Sequence, residues 1–77
     1  MREINVCLGT IERVKDFVNT VSRWCCDVDI ATGRYVIDAK SIMGIFSIDL
    51  SKPVVLRIYA EGQEAEDAVQ EIRRFTV

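Results

Sequence analysis

The chain contains no histidine among its 77 residues. That absence removes the side chain whose ordinary pKa suits general acid–base work and metal ligation near neutral pH. Cysteine is scarce and odd in number: Cys7, Cys25 and Cys26. Three thiols make no disulfide framework, and the adjacent pair fits the geometry of a relaxed bridge poorly. Without His or a Cys-x-x-Cys pair, no metal site has enough ligands at useful spacing. The cysteines therefore read as reduced thiols acting as small hydrophobes, with a redox role for Cys25-Cys26 as the alternative. No cofactor signature is present. A basic excess is also missing: 10 Lys and Arg stand against 12 Asp and Glu, for a net charge of −2. This speaks against a dedicated nucleic-acid binder. No apolar run approaches the roughly 18 residues that a membrane span needs. Met1-Arg2-Glu3-Ile4-Asn5 has no apolar core of the signal-peptide kind, so the cytoplasm is expected. Pro53 is the only proline, and no linker, repeat or low-complexity tract divides the chain.

What is present is 49% hydrophobic residues, ordinary for a globular chain and too many for a disordered one. The length predicts one domain over 1–77 with a net stability of about 3–5 kcal/mol. Residues 2–8 alternate, with Ile4, Val6 and Leu8 on one face of a strand. Thr10 is an N-cap type, and Ile11, Val14, Phe17, Val18, Val21 and Trp24 follow at helical spacing. The spacing predicts a helix over 11–24, with Glu12 in its first turn and Arg23 in its last. Asp27 to Ala31 returns to period two, Thr32-Gly33 turns, and Arg34 to Asp38 forms a second hairpin arm. After Pro53, the strand Val54 to Ala60 presents Val54, Leu56, Ile58 and Ala60 to one side. A closing helix over 64–75 buries Ala65, Ala68, Val69, Ile72 and Phe75.

The order is β-α-β-β-α-β-α. Half-apolar strands and two striped helices predict an α+β sandwich of two layers, with one sheet face bare. Its core is expected to hold Ile4, Val6, Val14, Phe17, Val18, Val21, Val28, Ile30, Leu56, Ile58, Val69 and Ile72.

Between the hairpin and Pro53 lies Lys40-Ser41-Ile42-Met43-Gly44-Ile45-Phe46-Ser47-Ile48. Ser41 stands where an N-cap belongs, and Ile42, Ile45 and Phe46 share one face of a short helix. Read from spacing alone, this is a capped surface helix. The run Lys40 to Gly44 resembles the regulatory segment of HPr, the histidine phosphocarrier of the bacterial sugar phosphotransferase system. Thr20-Val21-Ser22-Arg23-Trp24, Asp27-Val28-Asp29-Ile30 and Ala60-Glu61-Gly62 with Glu66-Asp67-Ala68 resemble other parts of that family. The resemblance implies the open-faced β-sandwich of HPr, an antiparallel sheet in the order 1-4-2-3, and phosphorylation of Ser41 by an HPr kinase. It further implies a docking face for phosphotransferase-system enzymes or a catabolite regulator, to which Ile42, Met43, Gly44 and Phe46 would contribute. A monomer is expected.

The departure from the family is as informative. HPr carries Gly-[ILV]-His-Ala-Arg-Pro at the start of its first helix. Counted back from Trp24 without a gap, Thr10 holds the histidine's place, Glu12 the arginine's and Arg13 the proline's. A threonine hydroxyl is a weak nucleophile without an adjacent base, and a carboxylate repels a phosphoryl group. The expectation is a non-enzymatic regulatory module of carbon catabolite type, switched at Ser41. A carrier with a displaced acceptor and a degenerate structural domain are the alternatives.

Overall fold

Alternating apolar residues pair strand with strand. The computed structural model describes all 77 residues. Four strands are β1 (Arg2–Val6), β2 (Asp27–Thr32), β3 (Tyr35–Asp38) and β4 (Val54–Tyr59), antiparallel in the order β1-β4-β2-β3. The register sets Ile4 opposite Leu56, Leu56 opposite Ile30 and Ile30 opposite Ile37, one apolar row across the whole sheet. Helices α1 (Ile11–Val21) and α3 (Gly62–Glu71) have their buried residues in the core with this face. A short α2 (Ile42–Phe46) follows β3, and a 3₁₀ turn over Arg73–Phe75 follows α3. This is the α+β architecture, and the strand order, that the HPr resemblance implied. The opposite face is bare, with a charged row of Glu3, Arg57, Asp29 and Asp38 and a mostly apolar row of Asn5, Val55, Ala31 and Val36.

β1 stops at Val6, two residues before its alternation ends, because its partner strand runs out. Val6 pairs with Val54, and Pro53 before Val54 has no N–H to extend the ladder. The hairpin turn is Gly33-Arg34, with Gly33 at φ +54°, a conformation that glycine adopts without steric cost.

The core includes Val6, Val14, Phe17, Val21, Val28, Ile30, Leu56, Ile58 and Ile72, all buried, while Ile4, Val18 and Val69 pack against it half-covered. Leu8, Ala39, Ile45 and Phe75 are among the further core residues. Phe75 meets Phe17 edge to face, ring centroids 5.4 Å apart at 88°. The tail that carries Phe75 closes one end of the sheet's outer edge: Cys7 N–H donates to the Phe75 carbonyl at 2.9 Å and Val77 N–H to the Asn5 carbonyl at 3.1 Å.

Two expectations for α1 need correction. Ile11 fits the apolar stripe by spacing, yet it is 60% exposed, while Val14 in the same turn is fully buried. The helix also ends at Val21, short of Trp24, so Arg23 lies beyond its last turn. There Arg23 N–H bonds Thr20 and Trp24 N–H bonds Val21, three residues back, which tightens and then ends the helix. Trp24 is held from elsewhere: its indole N–H donates to Glu71 at 2.8 Å, and Lys40 Nζ donates to its carbonyl at 2.8 Å.

Candidate functional site at the start of α1 and along α2

Thr10 sits just before α1 with extended backbone, φ −129° and ψ 159°. Its Oγ1 accepts the Arg13 N–H at 3.1 Å, which makes it an N-cap. Ile11 and Glu12 beside it are exposed, and Glu12 makes no ion pair. The first free amides of α1 therefore face solvent with a carboxylate among them, where an anion would meet repulsion.

Arg13 is the cation nearest this end in sequence, and it is committed elsewhere. Its Nε and Nη2 donate to the Cys7 carbonyl at 3.1 and 2.9 Å, and Nη2 also reaches the Arg74 carbonyl at 3.3 Å. The guanidinium lies over the Phe75 ring, 5.2 Å from its centroid. Arg13 thus ties α1 to β1 and to the tail, and offers no free fork to a phosphoryl group. Arg74 covers the same ring at 4.7 Å while pairing with Asp16 at 2.9 Å.

α2 packs against both α1 and β3. Ser41 caps it: the backbone is extended, and Oγ accepts the Gly44 N–H at 3.1 Å. A methyl group on Gly44 would stand 3.3 Å from Ser41 Oγ and 3.7 Å from Ile37 Cβ. Any side chain at position 44 would crowd the Ser41 hydroxyl, so glycine fits here despite a helix penalty of about 1 kcal/mol. Ile45 is fully buried and Ile42 half-buried, so those two anchor the helix inward. Met43 is 77% exposed and Phe46 40% exposed. The α2 surface is thus apolar where it meets water, and no charged side chain interrupts Ile42 to Phe46. Lys40 does not turn to Ser41; it spans to the Trp24 carbonyl.

No His, Cys, Asp or Glu side chains are gathered as metal ligands. No helix is long and apolar enough to cross a membrane. A separate cleft of about 140 Å³ lies between the end of α1 and α3, lined by Trp24, Cys25, Cys26, Glu64, Asp67 and Glu71. Burial, and then the nearby Glu64 carboxylate, push the Cys26 thiol up, so it stays protonated at neutral pH. All three cysteines are free.

With this geometry in hand, the family model described as the PTS HPr component phosphorylation site matches residues 12–76. The chain belongs to the HPr family. Among solved structures it is similar to HPr-C-His from Thermoanaerobacter tengcongensis, at 26% identity and TM-score 0.77, covering 96% of this chain and 89% of that one. It is also similar to the phosphocarrier protein HPr from Bacillus anthracis, at 26% identity and TM-score 0.72, covering 99% and 94%. A histidine-containing phosphocarrier protein from Mycoplasma shares the fold, at 17% identity and TM-score 0.71 over 95% of this chain and 86% of that one. The HPr family match begins two residues after Thr10.

Two features of this end escaped the sequence. Arg13 reads only as the residue in the proline's place, but its acceptors include a carbonyl 61 residues away. Lys40 reads as a neighbour for Ser41, but its acceptor lies 16 residues back. The Ser41 cap was visible because its acceptor and donor are only three residues apart.

Proposed function

We propose that this chain is a regulatory HPr-family module without phosphocarrier chemistry, whose switch is phosphorylation of Ser41. The observation that carries this reading is the contrast between two neighbouring helix starts. At α1, threonine and glutamate stand where the family's pattern has histidine and arginine, and the one adjacent guanidinium is bound to backbone carbonyls. At α2, the serine, its cap and the neighbouring Gly44 are all present.

A phosphate on Ser41 adds about −2 charge beside Met43 and Phe46. An apolar face becomes an apolar and anionic one, suited to a partner that presents arginines around an apolar pocket. Ile42 and Gly44 hold that face in shape from within. The partners so proposed are an HPr kinase, a catabolite regulator and phosphotransferase-system enzymes, in the cytoplasm, with no catalytic residue supplied by the chain itself and no role for nucleic acid. Residues 1–77 act as one domain in this reading.

The test is incubation with an HPr kinase and ATP, followed by intact-mass and fragment analysis. One added phosphate on Ser41 is expected, with none on a Ser41→Ala variant. No phosphate, or one on Ser47 or Ser51, overturns the switch and leaves a degenerate structural domain as the better description.

A further inference from the structure

The two edges of the sheet differ. Part of the outer edge of β1 is occupied by the chain's own tail, through the Val6–Thr76 bridge and the Cys7 and Val77 amides. The outer edge of β3 carries no strand. We propose that β3 pairs with β3 of a second copy, antiparallel about a two-fold axis at Val36, so that two sheets join into one.

The register follows from which backbone groups are free. In a two-residue hairpin the residues flanking the turn, here Thr32 and Tyr35, exchange hydrogen bonds, and the pattern alternates from there. Tyr35 and Ile37 then point their N–H and C=O groups inward to β2. Ala39 continues this phase, its N–H donating to the Val28 carbonyl at 3.2 Å. Val36 and Asp38 therefore turn theirs to the open edge. A two-fold at Val36 sets Val36 against Val36 of the second copy, a pair able to exchange both bonds, and Arg34 against its Asp38, whose N–H can donate to the Arg34 carbonyl while its own carbonyl accepts the Ser41 N–H at 3.1 Å.

Side-chain charge selects this register as well. Arg34 and Asp38 take part in no ion pair within the chain. Asp38 stands directly opposite Asp29 on the bare face, and Asp29 is already taken by Arg57 and Tyr59. Asp38 uses one carboxylate oxygen for the Lys40 N–H at 2.9 Å and has the other free. The second copy's Arg34 would supply the cation that this acid lacks, and the symmetry repeats the pair. Between the two ion pairs, Val36, 57% exposed, meets its own image, and Tyr35, 67% exposed, lies beside it. The edge has no proline; its protection is its four-residue length and the charges of Arg34 and Asp38, which the two-fold turns into opposite pairs. Because the same β3 edge of each copy meets the other about a two-fold axis, the contact closes at two. On this proposal the chain forms a weak dimer in place of the expected monomer, weak because a four-residue edge buries far less than a standard interface.

Sedimentation equilibrium from about 10 μM to about 1 mM spans the affinity such an edge can reach. A monomer–dimer equilibrium is expected, with nitrogen-15 amide shifts on dilution centred on residues 34–38. Arg34→Asp places like charges opposite each other twice and should raise Kd about tenfold. Arg34→Asp with Asp38→Arg restores opposite charges and should recover the dimer. Val36→Lys should leave a folded monomer, while Val36→Ile should keep the dimer, which guards against misfolding of the double variant. A wild-type chain that is monomeric at the top concentration overturns the proposal. So does a dimer that Arg34→Asp and Val36→Lys leave unchanged.

Discussion

Thr10 and Ser41 are the same device used at two helices: a hydroxyl that accepts the amide three residues on. What differs is their neighbours. After Ser41 come only apolar residues and glycine through α2; beside Thr10 comes Glu12, whose charge opposes any phosphoryl group brought to the free amides of α1. This gives a prediction about repair. Thr10→His alone should not take phosphate from the general phosphotransferase-system enzyme at an appreciable rate, because the carboxylate remains and Arg13 stays bound to Cys7 and Arg74 carbonyls. Thr10→His with Glu12→Arg should exceed both single variants by more than their separate effects combine to give. Phosphorylation kinetics with phosphoenolpyruvate and that enzyme check this. A Thr10→His protein as fast as an ordinary HPr would mean that Glu12 carries no such weight.

At the scale of the elements, β2 and β4 are joined on their bare face by charge as well as by the ladder. Arg57 Nε and Nη2 donate to the two Asp29 oxygens at 2.6 and 3.0 Å, and Tyr59 hydroxyl donates to Asp29 at 2.6 Å. The Arg57 hydrogen bonds hold the Asp29 carboxyl below the ordinary aspartate range against the opposing effect of burial, with Tyr59 adding to them. Because the folded value lies below the unfolded one, about 3.9, this stabilisation is present above that pH and is lost as pH falls through the folded value. The melting temperature should therefore drop on acidification below about pH 4. Asp29→Asn should be less stable at neutral pH and should lose part of that acid-dependent drop. Equal pH dependence in both proteins would remove Asp29 from the account.

Elements built from local spacing were legible in the sequence. Val54 to Ala60 alternates as a central strand must, and its two faces fall as expected, with Val54, Leu56, Ile58 and Ala60 buried. The end of α1 was not legible, since Trp24 satisfies helical spacing while its indole is bound to Glu71, 47 residues on. The apolar character of α2 could be read, and so could its cap. Which of its side chains face water required the packing of Ile45 against the core. The roles of Arg13 and Lys40 depend on carbonyls far along the chain, which no short-range pattern encodes.

Across the whole molecule, a single aromatic contact bears on stability more than any surface feature. Phe17 is fully buried and stands edge-on to Phe75, so it joins the middle of α1 to the tail. Phe17→Ala should cost about 3–5 kcal/mol through lost burial and the cavity left behind. With a total near that size for a domain this small, the variant should be largely unfolded at room temperature. Urea denaturation followed by circular dichroism measures this, and a sharp native-like transition would count against the core assignment.

The tail's part in that contact reaches into how the protein is made. Phe75 fills the space against Phe17, draws Arg13 and Arg74 over its ring, and binds β1 through the Cys7 amide. A nascent chain whose residue 75 is still inside the ribosome therefore lacks the piece that shuts its own interior. Its sheet can begin to pair, but Phe17 and the Cys7 amide wait unpartnered. The fold is completed only when Phe75 has cleared the exit tunnel, and until then the Phe17 side of the core stays open.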